Sequence, residues 1–136
     1  MKIFLDDIRQ PENCLGYMYH RIGSKNILYL DKDWVVVKNY EQFKLIVEAA
    51  YQKFITITHI SFDHDLADVH YEIPFEDWNE ASSEQLRVEE TGYDCAKYFL
   101  EYYDGFGDNP PVPFPEIFVH SMNPVGRERI ESLFKS

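Results

Sequence analysis

A chain of 136 residues that is 45% hydrophobic is long enough for one domain with a real core, so it is no disordered acidic polymer. Its formal charge of −11 repels polyphosphate, which excludes broad nonspecific duplex binding and makes any phosphate ligand depend on a local cationic spot or a metal ion. No apolar run approaches the roughly 20 residues that span a bilayer, and the run before Asp6 is too short for a signal-peptide core. Cys14 and Cys95 lie far apart, so the expected setting is reduced and cytoplasmic, away from any membrane.

Residues 2–5 are a short apolar run that stops at Asp6-Asp7, and they read as a central strand. Residues 8–33 are irregular, with Ile27 to Leu30 as a candidate extra strand. Trp34 to Val37 is β-branched and apolar, a second buried strand. Asn39 caps a helix, with Gln42 three residues on as in a capping box. Phe43, Ile46, Val47, Ala50 and Phe54 are expected to face the sheet. Ile55 to Phe62 reads as the next strand. Residues 67–90 hold eight acids against a single cation, Arg87, and read as a long insertion beside a site. Thr91 caps a further helix, with Tyr93, Ala96, Leu100 and Tyr103 on one face. Residues 105–115 carry two glycines and four prolines and form a loop. Ile117 to Val119 is another strand. Asn123 then caps a last helix with Pro124 at its first position, docked by Ile130, Leu133 and Phe134. Short buried strands alternating with helices imply a single α/β domain over 1–136, with a parallel sheet and helices on both faces.

The chemistry collects where these strands stop. In an open α/β sheet the carboxyl ends of neighbouring strands share one crevice. Asp6 and Asp7 follow the first strand, and Asp63 and Asp65 follow the third. Carboxylates brought together repel one another, and a hard divalent cation relieves that, so Asp6, Asp7 and Asp63 are the expected ligands of Mg²⁺ or Mn²⁺. His64 and His120 end two different strands and suit acid and base roles in phosphoester chemistry, with Asp65 orienting His64. Ser121 and Asn123 lead into a helix start, and Thr91-Gly92 into another; such turns are ready anion sites. Arg9 and Arg127 are candidate phosphate clamps.

These motifs resemble the receiver fold of two-component signalling. There an acid pair ends the first strand, a phosphoacceptor Asp the third, and a Ser or Thr the fourth. Asp6-Asp7, Asp63 (or Asp65) and Ser121 match those elements, but no fifth strand ending in Lys follows. The chain is closer to the family described as the cyclic-phosphate processing receiver domain. Leu5-Asp6-Asp7-Ile8-Arg9-Gln10-Pro11, Phe62 to Leu66, Thr91-Gly92 and His120 to Gly126 carry that resemblance along nearly the whole chain. It implies a three-layer, receiver-like (flavodoxin-like) parallel sheet with the last strand missing. It also implies a role in opening or removing cyclic phosphates on nucleotides or at RNA ends.

Two readings of function follow. The first is a metal-assisted phosphoesterase that takes a small phosphorylated ligand or a nucleic-acid end. Here Asp6, Asp7 and Asp63 hold the metal, His64, His120 and Asp65 do the acid–base work, and Arg9, Thr91, Gly92, Ser121, Asn123 and Arg127 contact phosphate. The second is a degenerate receiver-like signalling or binding module without catalysis.

Overall fold

The computed structural model describes residues 1–65 and 91–135. The expected 67–90 insertion lies outside the described residues. Among the described residues four strands form one parallel sheet: β1 (Lys2–Leu5), β2 (Trp34–Val37), β3 (His59–Phe62) and β4 (Glu116–Val119), in the order β2-β1-β3-β4. The helices among those residues are α1 (Leu15–Ile22), α2 (Tyr40–Gln52), α3 (Gly92–Asp104) and α4 (Pro124–Leu133). Two 3₁₀ segments, Pro11–Cys14 and Gly23–Leu30, flank α1. The strands are short and nearly continuous in Ile, Phe, Leu and Val because both faces of the sheet are covered.

One face is covered by α2, α3 and α4, whose Phe43, Val47, Cys95, Ala96, Phe99 and Ile130 pack on Ile3, Leu5, Ile60 and Phe62. On the other face α1 and the second 3₁₀ segment bring Met18 and Tyr29 onto Phe4, Trp34 and Phe118. A phenylalanine as buried as Phe4 contributes roughly 1.5–3 kcal/mol of transfer free energy.

The register places the site. Leu5 pairs with Val37 and Phe62, and Phe62 with Val119. The next residue of each strand end continues the ladder: Asp6 N–H donates to Val37 O (3.0 Å), Asp63 N–H to Leu5 O (3.0 Å) and His120 N–H to Phe62 O (2.9 Å). Asp6, Asp63 and His120 therefore stand side by side in one row. Strand alternation puts them on the face of Phe4, Ser61 and Phe118. The sheet order reverses direction at β1/β3, the position where ligands bind in doubly wound sheets.

Four local expectations are corrected. Ile27 to Leu30 is not a strand; it belongs to the 3₁₀ segment, whose Leu28 carbonyl accepts from Trp34 Nε1 at 2.8 Å. The third strand covers only His59–Phe62, because residues 55–58 run in from the end of α2 without joining the ladder as strand. Phe54 does not face the sheet. The helix has ended, Phe54 turns into the left-handed region at φ 56°, and its side chain is 73% exposed. On α3 the buried positions are Cys95, Ala96 and Phe99, and Leu100 is only half-buried, so the core stripe is rotated by one residue from the expected face.

The helix starts behave as read. Asn39 Oδ1 accepts from Gln42 N–H (2.9 Å), while Gln42 Oε1 reaches back to Lys38 N–H (2.8 Å). Thr91 and Asp94 close a full capping box on α3, and Asn123 Oδ1 accepts from Gly126 N–H (3.1 Å) on α4.

Candidate functional site

Asp6 is the centre of a buried knot. Its Oδ1 accepts the backbone N–H groups of Ile8 and Arg9, both at 2.9 Å, so the acid shapes its own turn. Its Oδ2 accepts from Arg9 Nη1 at 3.3 Å and lies 3.0 Å from His120 Nε2. His120 is fully buried, stacked on Phe4 with ring centroids 4.3 Å apart. Its Nδ1 lies 2.7 Å from Ser61 Oγ, which lies 2.7 Å from the Tyr29 hydroxyl. Tyr17 O–H donates to the His120 carbonyl at 2.7 Å and fixes the strand end from outside.

Asp63 stands on the next strand with the Arg9 guanidinium 3.7 Å away. Its Oδ1 accepts from His64 N–H at 2.9 Å. Burial and the charge of Asp6 push the Asp63 carboxyl up to about 7, against the pull of Arg9. Burial would also raise Asp6, but the hydrogen bonds from His120, Arg9 and Ile8 outweigh it and hold that carboxyl below its ordinary value. Burial draws His120 below the usual imidazole value, opposed by Asp6. Two neighbouring carboxyls are thus driven apart in acidity, a pattern common at functional sites.

His64 lies at the rim of this knot. Asp65 Oδ1 is 2.8 Å from its Nδ1, and Asn123 Nδ2 approaches both oxygens of Asp65 at 3.5 and 3.4 Å. The Nε2 of His64 is buried and has no hydrogen-bond partner among the described residues. Two glycines make room for this corner. A Cβ on Gly92 would collide with the Asp63 carbonyl, and one on Gly126 would enter the His64 ring.

The structure brings together Asp6, Asp63, His120 and Arg9, and next to them His64, Asp65 and Asn123. The remaining candidates have these surroundings. Asp7 is half-buried and is not part of the acid–acid–histidine group. Thr91 commits its hydroxyl to the capping box with Asp94, and Gly92 is needed for the close approach to Asp63, with its N–H on the His64 carbonyl at 2.8 Å. Ser121 is buried and its Oγ accepts from Asn123 N–H at 3.1 Å. Arg127 pairs with Glu131 one turn along α4 at 3.4 Å, and no described ion pair joins it to the acid pair. Ser61 and Tyr29 were not among the candidates. The signal for Ser61 was a polar residue inside a fully buried strand; nothing in the sequence marked Tyr29 as its partner.

Asp6, Asp63 and His120 offer ligand atoms within 4.8 Å of one another, a group able to hold a metal ion. The fit is chemical as well as geometric. A carboxyl raised by burial and then by its neighbour's charge is a site short of positive charge, and Arg9 supplies only part of it.

A parallel β2-β1-β3-β4 sheet with acids at the ends of β1 and β3 and helices on both faces defines a receiver-like α/β domain. The chain matches the family described as the cyclic-phosphate processing receiver domain over residues 1–136, and it belongs to that family. No curated protein and no solved structure matches it significantly. Among the described residues no helix is long and apolar enough to cross a membrane.

Proposed function

We propose that the crevice at the strand ends is the active site of a metal-assisted phosphoesterase that opens a cyclic phosphate on a nucleotide or RNA end. The observation that carries this reading is His64, with Nδ1 held by Asp65 and Nε2 unpartnered among the described residues, beside a buried acid pair. A histidine oriented by a carboxylate through one nitrogen presents the other for proton transfer. Asp6 and Asp63 would hold Mg²⁺ or Mn²⁺, which when bound polarises phosphate oxygens and lowers the pKa of water.

The protein's own groups divide the remaining work. His64 Nε2, buried among the described residues, would on exposure to substrate take a proton from attacking water or give one to the departing sugar oxygen as one P–O ester bond of the ring breaks. Arg9, once turned from the carboxylates, offers guanidinium donors to the phosphate. The amino end of α4, capped by Asn123, adds the positive end of the helix dipole. His120 sits too deep, with both ring nitrogens engaged, to meet substrate. The net charge of −11 favours a small ligand or a strand terminus over a long polymer, in a cytoplasmic setting.

The phosphoacceptor module is served less well. Asp63, with its carboxyl up at about 7, is only partly ionised near neutral pH without added positive charge, and the cation facing it is an arginine engaged with Asp6. The deciding experiment incubates the protein with 2′,3′-cyclic nucleotides with and without Mg²⁺ or Mn²⁺. Cation-dependent opening to the monoester that is lost in His64→Ala and Asp63→Asn supports the enzyme. No turnover, with acyl-phosphate forming on Asp63 from a small phosphodonor, supports the module.

A further inference from the structure

We propose that Tyr29 and Ser61 are positioning residues whose hydrogen-bond relay fixes His120 as the Nε2–H tautomer, so that His120 anchors Asp6 as a donor and does not itself ligate a cation. The direction of every bond in the relay follows from counting donors. Asp6 Oδ1 is filled by two backbone N–H groups, and Oδ2 faces the Arg9 guanidinium, so the carboxylate only accepts. The 3.0 Å contact to His120 therefore carries its proton on Nε2. At the other end, the buried Tyr29 hydroxyl has Ser61 Oγ as its hydrogen-bond partner at 2.7 Å among the described residues. If Ser61 donated to Tyr29, the tyrosine proton would be buried without an acceptor, which is costly. Tyr29 thus donates to Ser61, and the single Ser61 proton goes to His120 Nδ1 at 2.7 Å. An Nδ1 that accepts is the unprotonated nitrogen of a neutral ring. The ring carrying this bond is buried and stacked on Phe4.

The relay crosses the layer from the second 3₁₀ segment through β3 to the ends of β4 and β1. It has a consequence for the cation proposed above, on which this part of the inference rests. With Nε2 protonated, the acid–acid–histidine group offers oxygen ligands only. Oxygen sets favour Mg²⁺ and Mn²⁺, whereas an imidazole ligand favours zinc, copper or nickel. His120 then acts like the hydrogen-bonded partners that orient first ligands in metal sites.

The test is a two-bond ¹H–¹⁵N correlation of the histidine side chains at neutral pH, with no ligand added. The expected spectrum shows His120 as the neutral Nε2–H tautomer with a hydrogen-bonded Nδ1. An Nδ1–H tautomer or an imidazolium overturns the relay. In Ser61→Ala the Nδ1 resonance should move to the position of an unbonded nitrogen. Tyr29→Phe, which keeps the ring packed on Trp34, should move it the same way by less. An unchanged His120 spectrum in both variants overturns the proposal. Titration with Mn²⁺ should show an affinity loss on the order of ten- to a hundredfold in Ser61→Ala. A wild-type protein that binds no Mn²⁺ overturns the cation reading alone, while the tautomer still decides the relay.

Discussion

The floor and the rim of the crevice are built from the same residue types, aspartate and histidine, yet Asp6 and His120 on the floor are bonded far more fully than Asp65 and His64 on the rim. On the floor, both oxygens of Asp6 and both nitrogens of His120 have partners between 2.7 and 3.3 Å, and both residues are excluded from water. On the rim, Asp65 is 64% exposed, its contacts with Asn123 are long, and His64 keeps one nitrogen unpartnered among the described residues. A fully satisfied buried network resists change because each lost partner strands another. The contrast teaches that two histidines which the sequence placed alike at strand ends differ in depth and in hydrogen-bond satisfaction, and the proposed division into scaffold and reagent rests on that difference.

The sharpest way to break this division is at the floor. Asp6→Ala strands the N–H groups of Ile8 and Arg9, the His120 donor and the guanidinium at once. Unfolding by urea should show a loss of about 3–5 kcal/mol, the scale for removing one partner of a buried ion pair. A loss below about 1 kcal/mol, typical of exposed pairs, would move Asp6 out of the scaffold.

The rim should respond in the opposite way. A Cβ on Gly126 enters the His64 ring, and the same change favours helix inside α4. Gly126→Ala should therefore cut cyclic-phosphate turnover by at least about tenfold while costing less stability than Asp6→Ala, about 1–3 kcal/mol by urea unfolding, as the overlap displaces the His64 ring. Full activity in this variant would remove His64 from the chemistry.

Arg9 touches both regions and gives a test by sign. Its guanidinium lies between Asp6 and Asp63, where a divalent ion would compete with it. Arg9→Gln should bind Mn²⁺ several-fold more tightly by calorimetry while turning over more slowly. Weaker binding would show that Arg9 shapes the acid pair instead of competing for it.

Asp63 links the comparison to pH. Its folded carboxyl is raised from 3.8 to about 7, so its contribution to stability is fully present below 3.8 and is lost as pH rises through 7. In EDTA, Tm should fall across that window. Mn²⁺ favours the ionised carboxylate, so its stabilising effect should be larger above pH 7 than at pH 5. Asp6 runs the other way, because its lowered value costs stability only as pH falls below 3.8. A cation effect independent of pH would disconnect Asp63 from the metal.

The smallest effect belongs to Cys14, buried behind the floor with its thiol pushed up to about 11 by burial. It should resist alkylation at pH 8 in the folded protein and react only on unfolding.

Much of the architecture was legible in the chain, for identifiable reasons. Ile3 to Leu5 and Trp34 to Val37 are too apolar and too short for anything but buried strands. Asn39, Thr91 and Asn123 announce their helices through hydrogen bonds that need only three or four residues of local sequence. The second 3₁₀ segment was harder. Ile27, Leu28 and Leu30 have strand-like composition, and the indole of Trp34, six residues on from Leu28, helps to set their conformation. At the site, Asp6, Asp63 and His120 were each visible as strand-end residues, and the structure gathers their ligand atoms within 4.8 Å of one another.

What the sequence determined by itself is everything that depends on neighbours along the chain: periodicity, caps, and the stopping of each strand at an ionisable residue. What only the tertiary structure decided is depth. The parallel register set Asp6, Asp63 and His120 in one row beneath α1 and left His64 at the edge. Depth sets desolvation and hydrogen-bond satisfaction, and these separate two histidines that look alike in sequence. Tyr29 and Ser61 belong to the same lesson, being 32 residues apart in the chain and joined only where two layers of the fold meet.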